Sequence, residues 1–290
     1  MTLVNKFDKW LGDEVGPKRG VIIYAALALY YSILLLPILY FVLSTFKGSE
    51  VIRSQQLILI PIESFTLEHW IQVITRGEFQ TYFLNSTIVA TGTTILSVGA
   101  GTFASYSISR MDYPGRRSLI LGYLGTEMLP RVLILIPFFV IMYNLDIIDT
   151  YVGIIIAHTV IALPFVTWLL KGYFDDIPTA LDDAAKMDGC SDIQTLFHII
   201  LPLALPGIAV SAFYTFIVSW NDYLFVSIIS RSQGTRTLPF ALQLFQSQNT
   251  VDWGAVLTAA TITMLPVVIL FAIIQSYLVE GLTSGGMKGY

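Results

Sequence analysis

Charge is scarce in this sequence. Of its 290 residues only 12% are Asp, Glu, Lys or Arg, about half the share found in soluble domains. With a mean hydropathy of +0.71, that deficit excludes an ordinary soluble domain and a disordered chain. Basic residues are outnumbered, 16 against 20 acidic, so no basic surface is available to neutralise nucleic-acid phosphates. The single cysteine, Cys190, allows no internal disulfide and no CxxC metal or redox pair. Nothing around it marks a reactive thiol. No G-x4-GK-[ST] loop is present. The nearest glycine run, Gly281 to Gly289, has Met287 where the lysine is needed, so the chain is not expected to hydrolyse ATP itself. His158 has no second His, Cys or carboxylate at metal spacing and reads as a packing residue.

What remains is apolar sequence in long runs. A helix crosses a bilayer with roughly 20 apolar residues. Six runs meet that length: Gly20–Phe46, Phe79–Ser109, Ser118–Leu145, Thr150–Leu170, Ile193–Asn221 and Trp253–Val279. They are too long and too uniformly apolar for barrel strands. The first run far exceeds a signal-peptide core and has no A-x-A-like site after it, so it reads as a retained anchor. Loop Lys and Arg residues favour one side, ten against five, which places both termini in the cytoplasm. The fold class is therefore an all-α integral membrane protein with six transmembrane helices. Its expected organisation is a cytoplasmic segment 1–19, a first helix 20–46, an extracytoplasmic loop 47–81, a five-helix core 82–280 and a cytoplasmic tail 281–290. Within the outer loop, turn residues gather at Pro61–Ser64. Thr66–Thr75 reads as a short amphipathic helix with Thr66 as N-cap.

The most informative segment is Phe174–Pro202, between spans 4 and 5. Pro178 suits a helix first turn. Ile177, Leu181, Ala184 and Ala185 recur on one face, Gly189 is a C-cap candidate, and Ser191 or Asp192 can cap a second short helix. Pro202 then opens span 5. Asp175, Asp176, Asp182, Asp183, Asp188 and Asp192 stand against Lys186 alone. An acidic segment is unsuited to the anionic inner leaflet, which favours a docking protein partner over a lipid-lying loop.

Asp183-Ala184-Ala185, Gly189, Ile199, Leu201 and Pro202 match the spacing EAA-x3-G-x9-I-x-LP. That segment resembles the EAA loop of binding-protein-dependent ABC importer permeases, with Asp183 in place of the usual Glu. Further signatures agree with the carbohydrate-uptake, maltose-type (MalG-like) branch. They are Asn85-Ser86, Ala104-Ser105-Tyr106 with Arg110, Pro130 and Pro137, Trp220-Asn221-Asp222-Tyr223, and the ending Gly281-Leu282-Thr283-Ser284-Gly285-Gly286-Met287-Lys288-Gly289. The resemblance implies a non-catalytic permease subunit in a prokaryotic cell (inner) membrane, with a cytoplasmic coupling helix between spans 4 and 5. It implies a second (MalF-like) permease, two ABC ATPase subunits, an extracytoplasmic solute-binding protein and a sugar substrate. The chain itself would hold no cofactor, ATP and Mg being used by the partner ATPase. Coupling would fall to Asp182, Asp183, Ala184, Ala185, Met187, Asp188, Gly189, Leu201 and Pro202.

A translocation path or binding-protein contact is expected among Glu127, Arg131, Trp220, Asn221, Asp222 and Tyr223. Glu127 and Arg131 lie four apart in span 3, as a polar lining or as a self-neutralising pair. Trp220–Tyr223 falls near the outer face, where an interface belt, a receptor contact and sugar binding all fit. Small residues in span 2, among them Ser97, Gly101 and Ser105, permit close helix crossings. Pro37, Pro137, Pro164 and Pro266 are candidate kinks. Two rival readings stand: a secondary transporter using Glu127, Arg131 and Asp222, and an intramembrane enzyme built on His158 with Glu127 or Asp222.

Overall fold

The computed structural model describes the backbone of residues 17–54, 58–59, 61–62, 64–246 and 251–286, and the side chains within 20–277. Lys6, Lys9, the side chains of Lys18 and Arg19, Glu63 of the expected turn, and the tail from Met287 with Lys288 lie outside the described residues.

Every regular element among the described residues is helical. They are α1 (Pro17–Ser44), α2 (Ser49–Arg53), α3 (Glu68–Thr75), α4 (Gly77–Arg110), α5 (Arg116–Glu127), α6 (Arg131–Asn144), α7 (Tyr151–Asp176), α8 (Ala180–Met187), α9 (Asp192–Thr195), α10 (Leu205–Trp220), α11 (Leu224–Ile229) and α12 (Trp253–Gly286), with a π-helical turn at Leu196–Ile200, a single helical turn at Leu201–Leu203 and a 3-10 segment at Leu238–Phe245. Thr66 Oγ1 accepts from Glu68 N at 3.1 Å and opens α3 two residues later than its cap. Gly281–Gly286, expected as tail, continues α12.

Four helices are individually long and apolar enough to cross a membrane: Gly20–Ser44 of α1, α4, α7 and Trp253–Tyr277 of α12. The other two expected spans are broken. Helices α5 and α6 meet at 103°, and the helical stretch Asp192–Leu203 meets α10 at 82°, so the described residues hold four candidate spans, or up to six if each bent pair is one. The first break follows from Pro130, which has no N–H and turns Leu129 away from helix. Met128 N and Leu129 N close α5 on the carbonyls of Gly125 and Thr126, and Leu133 N starts α6 on Pro130 O. Glu127 and Arg131 therefore end one helix and begin another. The single shared face expected of them does not exist.

At the second break Pro202 cannot donate back to His198. The preceding turn, Leu196–Ile200, widens to a π-helix, in which Leu201 N reaches Leu196 O. The chain bends at Ala204, and Pro206 sits in the first turn of α10. Thus span 5 straightens into its long helix at Leu205, not at Pro202. By contrast Pro37, Pro137, Pro164 and Pro266 lie inside continuous helices.

The chain forms two compact units, residues up to Val73 with Thr250–Thr261, and Ile74–Asn249 with the residues from Ile262 on. In the first, Phe46 stacks on Phe65 and Trp70, and buried Lys47 donates to Ser44 Oγ beneath the ring of Tyr40. In the second, α4, α7 and α10 pack on one another, α5 lies on α7, and α11 lies on α6 and α7. Lipid offers no hydrophobic drive between helices, so close contact is made by small side chains. Thr93, Ser97, Gly101 and Ser105 of α4, and Gly207, Ser211, Thr215 and Ser219 of α10, form buried stripes. A Cβ on Gly101 would come within 2.6 Å of Val166 on α7, and Ser105 Oγ donates to Thr167 O across the same contact at 2.8 Å.

Candidate functional site

The Phe174–Pro202 segment folds as helix, glycine turn, helix. Helix α8 starts at Ala180, so Pro178 precedes it. It ends in a Schellman turn: Gly189, at φ +85°, donates to Lys186 O at 3.0 Å and Cys190 N to Ala185 O at 2.9 Å. A residue with a Cβ is strained at that φ, which is why glycine stands there. Ser191 then opens α9 with a capping box, its Oγ accepting from Gln194 N while Gln194 Oε1 accepts from Ser191 N.

The face on which Ile177, Leu181, Ala184 and Ala185 were expected to recur is divided, Ile177 and Ala185 being buried and Leu181 and Ala184 exposed. Asp182 is also buried. A guanidinium accounts for the burial of Asp182. Arg110, the last residue of α4, brings Nε to 3.1 Å from Asp182 Oδ2, and its Nη2 donates to Ile177 O at 2.8 Å. An acid two residues before an alanine pair gives no sequence signal of burial. The available clue was Arg110, a cation at a span end facing an acidic loop.

Beneath α8 the second short helix is anchored. Leu196, Ile200 and Ala204 join Tyr106 of α4 with Phe174 and Ile177 at the end of α7 in one buried cluster, with Ile199 and Leu201 packed against it. Ser109 Oγ donates to Asp175 Oδ1 at 2.6 Å, and Lys171 pairs with the same carboxylate. Asp183, Ala184, Met187, Asp188 and Gly189 are left on the exposed side, Met187 at 88%. Lys186 pairs with Asp192 at 3.3 Å on the surface. The segment thus presents acids and a bare methionine on a mount fixed to α4 and α7.

The residues expected at the outer end divide into two groups. Trp220 is buried, donating from Nε1 to Thr263 O at 3.1 Å and stacking on Phe216. Asp222 is buried too: its Oδ1 accepts from Phe225 N at 2.9 Å and Val226 N at 3.3 Å, capping α11. The same oxygen lies 3.2 Å from His158 Nε2, whose Nδ1 lies 2.7 Å from Ser219 Oγ. Asn221 and Tyr223 are exposed, the latter accepting at its hydroxyl from Gln243 Nε2 at 2.7 Å. Glu127 and Arg131 are exposed at the α5–α6 break.

One feature beside the start of α7 was missed entirely. The 230–238 loop is held by Asn85, whose Nδ2 donates to Gly234 O and Arg236 O, and by Ser86, whose Oγ accepts from Leu238 N at 2.7 Å. Asp149, at φ +60°, completes the clamp. Its Oδ1 accepts from the amides of Arg231 and Ser232 and the hydroxyls of Ser232 and Thr235. Burial would raise this carboxyl, but the hydrogen bonds from Thr235, Ser232 and Arg231 outweigh it and hold it at about 2.

The sequence pattern of the family "Binding-protein-dependent transport system inner membrane component" matches residues 97–284. Among similar proteins, the inner membrane ABC transporter permease protein YcjP of Escherichia coli is 36% identical, over 92% of this chain and 95% of its own. The trehalose/maltose transport system permease protein MalG of Thermococcus litoralis is 32% identical, over 93% and 95% respectively. In fold, the chain resembles the crystal structure of a bacterial ABC transporter involved in the import of the acidic polysaccharide alginate. The TM-score is 0.73 at 23% identity, covering 89% of this chain and 95% of that one.

Proposed function

The chain belongs to the binding-protein-dependent transport system inner membrane components, as a carbohydrate-uptake ABC permease, and on that premise we propose how it works. It is one half of the pathway of an ATP-driven sugar importer. Each bent pair is a single span, giving six, with both termini in the cytoplasm. Helix α8 is the coupling helix. It inserts Asp183, Ala184, Met187 and Asp188 into a cleft on one of two ATPase subunits, which use ATP and Mg; this chain holds no cofactor.

One observation carries the coupling assignment. A capped short helix keeps Met187 at 88% exposure beside exposed acids. Exposed acids are disfavoured at the anionic inner leaflet, so a protein partner suits this face better than lipid. A second permease completes the pathway, and a solute-binding protein delivers a di- or oligosaccharide or related polyol to the outer face. Asn221 and Tyr223 are exposed there, and Glu127 and Arg131 at the break in span 3 supply polar lining. Trp220 and Asp222 hold the outer helices in place.

The test is uptake of labelled trehalose and maltose into cells with and without this chain. The expected uptake survives a protonophore while ATP is held constant and stops when ATP is depleted. Uptake abolished by the protonophore at constant ATP would favour an ion-gradient transporter.

A further inference from the structure

Two adjacent aspartates on α8 have different surroundings. Asp183 faces out, whereas the Asp182 side chain retains only 10% of its exposure and the Arg110 side chain 9%. The guanidinium of Arg110 makes two contacts on two elements: Asp182 Oδ2 at 3.1 Å in the first turn of α8, and Ile177 O at 2.8 Å just after α7. The Asp182 contact is an ion pair without hydrogen-bond alignment, while the Nη2 bond to Ile177 O fixes where the guanidinium sits. Burying an ion pair costs desolvation that apolar packing would avoid, so the pair is better explained by positioning than by stability. Helix α4 is 34 residues long, about 50 Å. That exceeds the roughly 30 Å hydrocarbon core, and it allows the end of α4 to reach α8.

Resting on the coupling role of α8 given above, we propose that Arg110 and Asp182 are a positioning pair that locks the coupling helix to the end of α4. On that assignment Asp183 is the acid offered to the ATPase and Asp182 never leaves the chain. A displacement of α8 is then passed directly to α4 and α7, the two helices that Arg110 and the Tyr106–Phe174 cluster join at its base.

The experiment uses the whole complex, purified with its ATPase from native membrane and placed in lipid nanodiscs. Spin labels go on the native Cys190 and on Met111→Cys, just past α4. Their separation is read by electron paramagnetic resonance, without nucleotide and after trapping with ATP, Mg and vanadate. A locked pair gives the same separation in both states. Asp182→Asn then adds a longer component on trapping, and the reversal Arg110→Asp with Asp182→Arg removes it. Conversely, a separation that changes on trapping in the parent overturns the pair, whether or not the variants assemble. So does an Asp182→Asn complex that keeps the parent's single distance. Absence of any ATPase from the parent preparation would instead remove the coupling role of α8 on which the pair depends.

Discussion

His158 on α7 and Asp222 beyond the end of α10 meet in the buried interior, Nε2 to Oδ1 at 3.2 Å. Asp222 also caps α11, and His158 reaches Ser219, so one imidazole ties three helices together. Removing it leaves a buried carboxylate short of a partner. His158→Ala is expected to lower unfolding free energy by about 2–4 kcal/mol, and Asp222→Asn by about 1 kcal/mol. Thermal unfolding in mild detergent checks both. Equal stability of His158→Ala and the parent would contradict the account.

At the loop clamp, Asp149 has a folded value of about 2 against an ordinary 3.8. A depressed carboxyl contributes stability above its unfolded pKa, and that contribution is lost as pH falls through the folded value. Asp149→Asn tolerates the positive φ and should cost about 1–2 kcal/mol near neutral pH. The gap to the parent should hold from pH 7 to about 5 and narrow below about 4. Melting curves along that series decide it, and a gap unchanged at about pH 3 would be contrary.

Gly189 gives the sharpest local test. Proline fixes φ near −65° and has no N–H to give Lys186 O, whereas the turn needs φ +85°. Gly189→Pro should therefore misplace α8 and separate ATP hydrolysis from uptake. Gly189→Ala costs about 1 kcal/mol and should keep the two linked. Measuring hydrolysis and uptake together in one preparation distinguishes them.

Legibility in the sequence followed the kind of interaction involved. Apolar runs located α1, α4, α7 and α12, because hydropathy and length need no tertiary information. The glycine turn and the Ser191 cap were readable since both are local. Two breaks were not foreseen: the chain leaves helix at Pro130 and bends at Ala204, just past Pro202, whereas Pro164 lies within a continuous helix. Long-range pairs were invisible. Arg110 with Asp182 is 72 positions apart and Asp149 with Thr235 is 86, and no local pattern announces either. Asn85 and Ser86 were noticed as a signature, but their work, pinning the 230–238 loop, belongs to the folded chain.

The central claim is that α8 is where an ATPase docks. Its most direct test is gentle-detergent purification of the tagged chain from native membrane, with mass spectrometry of its companions, for the parent and for Asp183→Arg. The account predicts an ATPase carrying a G-x4-GK-[ST] sequence with the parent, strongly depleted from the variant, while a second permease stays bound to both. An ATPase retained equally by Asp183→Arg, or a parent chain that brings none even after crosslinking from Cys190, would contradict it.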